Sequence, residues 1–181
     1  MSDLKKIIQE TQEAFKQEPS RARAVFESRS VLGKGLRSTA TMRHHEITVD
    51  EPESLGGSDA GPNPVELILA ALGTCQEITY RAYATALGID LQSVSVSLRG
   101  DIDLRGFFAV DDKVRPGYES IFGDVEIVSD ASVEELNKLK EAVNAHCPVL
   151  DIIAKPVPVD LGIIHMPATT WENSQRAPGR S

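Results

Sequence analysis

The stretch "NPVELILAALGTCQEITYRAYATALG", residues 63–88, constrains the fold more than any other part of the chain. Asn63 is a natural N-cap, Pro64 suits the first helical position, and Glu66 falls three residues after the cap in the capping-box pattern. Gly88 supplies the stop. The spacing therefore predicts a helix over 64–87. Its first half, "VELILAALGTC", is apolar almost all round, so it is expected at the centre of a fold rather than on its surface.

The rest of the chain supplies what could cover such a helix. Leu4, Ile7, Ile8, Thr11 and Phe15 recur at helical spacing, predicting an amphipathic surface helix over 3–17, ended before Pro19. Val25, Val31, Leu36, Thr39, Thr41, Ile47 and Val49 then change the period, predicting strands that meet at the "LGKG" turn and a further strand near 44–49. "DEPESLGGSDAGPNP" reads as a long loop, of a kind that is often functional. Strands are expected again at Leu91, Val94, Val96 and Leu98, and at Ile121, Val125 and Ile127. Ser132 and Glu135 open a second helix running to about His146, and "VPVDLGIIH" reads as a closing strand, placed at an edge by Pro156 and Pro158. The fold class is α+β with a largely antiparallel sheet. The expected organisation is an amphipathic extension over 1–20, one domain over 21–166 and a disordered tail over 167–181.

A net charge of −8 and the lack of a basic cluster argue against nucleic acid as a partner. No stretch is apolar for the ~18 residues a membrane helix needs, so no membrane role is expected. The first residues have no signal-peptide pattern, and two cysteines without one imply a reducing compartment, so a cytoplasmic location is expected.

Those two cysteines are the candidate chemistry. Cys75 shares a helical face with Ile68, Ala71, Leu72, Thr79 and Ala82, which by itself suits a small buried hydrophobe as well as a reactive thiol. Glu66 precedes it by about 900° of helical rotation and points away, and Glu77 is turned about 200° from it. An activating cation must come from another element, and Lys34, Arg37 and Arg43 are the available pool. Cys147, in "HCPV", precedes a proline, so it either opens a helix or merely follows the end of one. His44 and His45 adjoin on an expected strand and so face opposite ways, and no histidine or cysteine spacing supports a metal site. The charges of "DDKVRP" are expected in a solvated loop.

"DEPESLGGSDAGPNPVELILAALGTC", followed by "HCPV", closely resembles the OsmC-like superfamily, which includes osmotically inducible protein C and the organic hydroperoxide resistance proteins. The resemblance covers about residues 25–165, and "GDIDLRG" and "VRPGYESI" look like its broad redox-protein branch. It implies mostly antiparallel sheets around two long central helices, in an intertwined homodimer with active sites at the subunit interface. It implies further that Cys75 is a peroxidatic cysteine reducing organic hydroperoxides, that Cys147 resolves it to a disulfide, and that a dithiol reductant such as a lipoylated protein recycles the pair. No cofactor and no metal are implied.

Two positions depart from the family pattern. Val65 stands where the hydroperoxide resistance branch has a glutamate that holds the catalytic arginine, and Glu66 is one residue late. Gapless alignment puts Lys34 at the arginine, with Arg37 three residues on. Arg37 is the favoured catalytic residue because a guanidinium presents paired N–H groups. Lys34, Arg43 and Glu66 are secondary candidates. The competing expectation is a member of the same fold that binds a small acidic or lipid-like ligand in an apolar pocket, with passive or sensory cysteines.

Overall fold

The computed structural model describes residues 2–167. Helix α1 (Ser2–Gln17) lies against α2 with Leu4, Ile7 and Phe15 still exposed, and a short 3-10 turn at Pro19–Ala22 follows it. Three strands follow: β1 (Arg29–Leu32), β2 (Ser38–Met42) and β3 (His45–Val49), antiparallel in that order. The "LGKG" turn joins the first two: the Gly33 N–H donates to the Arg37 carbonyl at 2.7 Å, and Gly35 takes a φ of +66° that its lack of a side chain permits. Arg43 and His44 form the tight turn between β2 and β3. His44 therefore lies outside the strand expected over 44–49, and its ring sits 4.0 Å from that of His45 instead of on the opposite face.

The long loop returns the chain to α2 (Pro64–Leu87), whose bounds are those the sequence predicts. The Asn63 side chain accepts from the Val65 N–H, Glu66 accepts from the Asn63 N–H, and Gly88 ends the helix at φ +76°. Strands β4 (Ser93–Ile102) and β5 (Tyr118–Val128) pair along their whole length and pack on α2. Between them stands a short helix, α3 (Leu104–Phe107), which the alternation of 91–98 gave no sign of; Asp103 caps it by accepting from the Arg105 N–H. Helices α4 (Val133–His146) and α5 (Pro148–Ala154) complete the described fold.

The core lies at the C-terminal half of α2, where Tyr80 and Ala84 meet Leu139 and Val143 of α4 and Ile89 and Leu91 of the following turn. Full burial of side chains of this size contributes roughly 1.5–3 kcal/mol each. Other faces of α2 stay open. Ile68, in the first half that was expected to be covered on every side, is 45% exposed, and Ile78, further along, is 70% exposed. The reason is that one chain packs β4, α1, α4 and α5 around the helix and leaves part of its circumference bare. The closing strand expected over 157–165 does not form either. Residues 156–167 are irregular and pair with none of the described strands, and Pro156, Pro158 and Pro167 have no N–H to donate to one. Val157, Val159, Leu161, Ile163 and Ile164 are left exposed. The tail expected over 167–181 lies, but for its first residue, outside the described residues.

Candidate active site

Cys75 stands near the middle of α2, and Cys147 sits where α4 ends and α5 begins. Both alternatives that the sequence left open for Cys147 hold together. It is the last cap of α4, its N–H donating to the Val143 carbonyl at 2.9 Å, and it immediately precedes Pro148 at the first position of α5. This sharp helix-to-helix junction points the Cys147 thiol at α2. The two Sγ atoms are 3.4 Å apart, with Cys147 as donor and both thiols free. Cys147 is 1% exposed and Cys75 only half-buried, so Cys75 is the one a small molecule can reach.

Burial pushes the Cys75 thiol above its ordinary pKa. The Val149 N–H, at the first turn of α5, opposes this by favouring the thiolate, while Cys147 raises the value further and the Thr79 hydroxyl lowers it. Among the described residues no cation acts on Cys75.

The basic candidates lie on the N-terminal sheet. Arg37 donates through Nη2 to the Ser58 hydroxyl at 3.0 Å, and Ser58 donates in turn to Asp50 Oδ2 at 2.7 Å. Asp50, 2% exposed, also accepts the N–H groups of Glu51, Ser58 and Ala60, so a buried carboxylate organises the glycine-rich loop. These contacts, the Ser58 hydroxyl first, bring the Asp50 pKa down from 3.8 to about 2. Arg37 and Lys34 share a cavity of about 260 Å³ with Asp50 and Ser58, and Cys75 does not line it. Arg43 lines a different cavity, with Phe26, Glu27 and Thr41. Glu66 is spent on the capping box at the start of α2. The chain thus brings Cys75 and Cys147 together, but joins none of Arg37, Lys34, Arg43 or Glu66 to them.

A cavity of about 390 Å³ is lined by Ile68 and Leu72 from the Cys75 face of α2 and by Leu150 and Ile153 from α5; neither cysteine lines it, but Leu72 and Leu150 each lie about one helical turn from one. Its other wall is Arg115 and the start of β5, where Tyr118 donates from its hydroxyl to the Val65 carbonyl at 2.9 Å. That ring rests on Gly100 of β4, where an added Cβ would come within 2.5 Å of it. The "DDKVRP" loop is largely exposed, as expected of a solvated loop, and its Arg115 also lines this cavity, a placement that the sequence reading missed.

A half-exposed thiol on a long helix and a buried thiol in contact with it from the next helical layer are thus held together in an α+β fold. The sequence profile described as "OsmC-like protein" matches residues 56–162, and the chain belongs to that family. Among solved structures it is similar to an OsmC-like protein from Mycoplasma pneumoniae, at 21% identity and a TM-score of 0.64, covering 74% of this chain and 89% of that one. It is similar also to an organic hydroperoxide resistance protein OsmC from Legionella pneumophila, at 19% identity and a TM-score of 0.57, covering 76% and 96%. A third is an organic hydroperoxide resistance protein from Elizabethkingia anophelis, at 18% identity and a TM-score of 0.57, covering 76% and 93%. No curated protein matches. At these identities the structures establish the fold, a mixed α+β architecture with antiparallel sheets.

Proposed function

We propose that this protein is a thiol-dependent peroxidase for organic hydroperoxides, with Cys75 peroxidatic and Cys147 resolving. The observation that supports it most is the 3.4 Å approach of the two sulfurs from separate helices. The Cys75 thiolate attacks the terminal peroxide oxygen, the O–O bond breaks, and the alkoxide takes a proton and leaves as the alcohol. Cys75 is then a sulfenic acid. Cys147 attacks its sulfur, releasing water as the S–S bond forms. A dithiol reductant, for which the family precedent is a lipoylated protein, exchanges with that bond; it leaves oxidised and both cysteines leave reduced.

The thiolate needs a cation that the described residues of one chain do not bring to it, and Arg37, with Lys34 beside it and Arg43 on the same sheet, is proposed to supply it in a homodimer. The bare face of α2 and the exposed residues 157–164 support such a dimer, since large uncovered apolar surfaces on a folded chain mark contact sites. Among the described residues no helix is long and apolar enough to cross a membrane. The competing reading, a ligand-binding or redox-sensing protein, is favoured by the raised Cys75 pKa and by Val65 at the family's glutamate position.

Intact-mass spectrometry of the reduced protein after one equivalent of cumene hydroperoxide separates the two. The peroxidase reading expects loss of two hydrogens in the wild type, and a trappable sulfenic acid in Cys147→Ser but not in Cys75→Ser. Thiols still unmodified after minutes of exposure would leave the ligand-binding reading standing.

A further inference from the structure

The cavity of about 390 Å³ that Leu72 and Leu150 line, each about one helical turn from a cysteine although neither cysteine lines it, joins an apolar floor to a cation with no partner among the described residues. Ile68 and Leu72 form the floor from α2 and Leu150 and Ile153 from α5, each within about two helical turns of a cysteine. Arg115 stands at its edge. Arg37 is spent on Ser58, Arg81 on the Leu91 carbonyl, Arg99 on Asp101 and Arg105 on Asp103. The Arg115 guanidinium has no hydrogen bond or ion pair among the described residues. Glu119 lines the same cavity without pairing with Arg115. It acts instead on Arg105, whose guanidinium is held protonated chiefly by Asp103 and secondarily by Glu119.

Such a site fits a molecule with a hydrocarbon body and one anionic group, the body excluding water and the charge fixing which end faces the thiols. We infer that Arg115 is a substrate-recognition residue, and that the protein prefers organic hydroperoxides bearing a carboxylate over neutral ones with the same body. The inference rests on the peroxidase reading. A planar guanidinium can hold a carboxylate through two parallel N–H bonds, which a lysine cannot. Because Arg115 is exposed, screening limits the gain to about fivefold.

The test pairs cumene hydroperoxide with its para-carboxylate analogue, 4-(2-hydroperoxypropan-2-yl)benzoate, in stopped-flow oxidation of the reduced full-length protein. The wild type is expected to react about fivefold faster with the carboxylate at low salt, the advantage shrinking at about 0.5 M salt. Arg115→Gln should bring that ratio near one, losing far more rate on the carboxylate than on cumene hydroperoxide, and Arg115→Lys should recover part of it. A wild-type ratio near one, or equal losses on both substrates in Arg115→Gln, overturns the inference. Calorimetric binding of 4-isopropylbenzoate to Cys75→Ser separates the site from the chemistry. Binding that weakens with Arg115→Gln, in a protein that reduces neither hydroperoxide, upholds the recognition site and sinks the peroxidase reading. Active protein whose 4-isopropylbenzoate binding ignores Arg115 does the reverse.

Discussion

Asp50 illustrates how much of this site rests on single side chains. Its carboxylate accepts one hydroxyl and three backbone N–H bonds, and only the ionised form can satisfy all four. Its folded pKa is lowered, so its stabilising contribution is complete above the unfolded value of about 3.9 and is lost as the pH falls through about 2. The melting temperature of the wild type should therefore drop between pH 4 and pH 2 more steeply than that of Asp50→Asn, as thermal scans across that range would report. Parallel curves would mean that Asp50 does not hold the loop. Cys75 carries the opposite sign. An acid whose pKa is raised by folding favours the neutral form, so its contribution is present below the unfolded value of about 8.5 and is lost as pH rises beyond it. If Arg37 supports the thiolate in the assembled protein, Arg37→Ala should move the midpoint of the Cys75 alkylation profile upward and slow alkylation at pH 7 by several-fold. An unchanged iodoacetamide rate would remove Arg37 from the site.

At the level of elements, α2 was legible in detail because all of its determinants are local: Asn63, Pro64 and Glu66 at one end and Gly88 at the other are short-range chemistry. The same holds for α4, where Ser132 and Glu135 form the box the sequence announces. What the sequence did not announce depends on distant partners. The α4–α5 junction that turns Cys147 onto α2, the α3 turn capped by Asp103, and the position of Arg115 over the cavity all follow from packing between segments far apart in the chain. Gly100 shows the same dependence and gives a test. Its missing side chain makes room for the Tyr118 ring, whose hydroxyl ties β5 to the first turn of α2. Gly100→Ala should displace that ring and cost roughly 1–3 kcal/mol in a urea melt. Tyr118→Phe, which loses only the hydrogen bond to the Val65 carbonyl, should cost about 1 kcal/mol. Equal losses in the two variants would mean that the ring's position, apart from its hydroxyl, contributes nothing.

For the whole molecule, the arrangement of apolar surface bears on the proposed dimer. One chain builds a core around Tyr80, Leu139 and Val143, yet leaves Ile68 and Ile78 on its central helix and five large aliphatic residues over 157–164 in contact with solvent. Covering those five side chains would contribute roughly 1.5–3 kcal/mol each. Association costs about 4–15 kcal/mol in lost freedom, so the segment alone offers a marginal dimer and needs the bare face of α2 to make a stable one. The period-2 alternation of Val157, Val159, Leu161 and Ile163 is what a half-buried strand requires, yet the segment pairs with none of the described strands. The wild type is therefore expected to sediment as a dimer at micromolar concentration. Ile163→Asp combined with Ile164→Asp places two charges in the proposed interface and should shift the protein toward monomer, with a lower melting temperature that rises with protein concentration. The same variant should alkylate Cys75 more slowly at pH 7, since separation removes any cation that the partner contributes to the thiolate. A wild type that sediments as a monomer would sink the dimer. A dimer that survives both substitutions would place its contact elsewhere on the molecule.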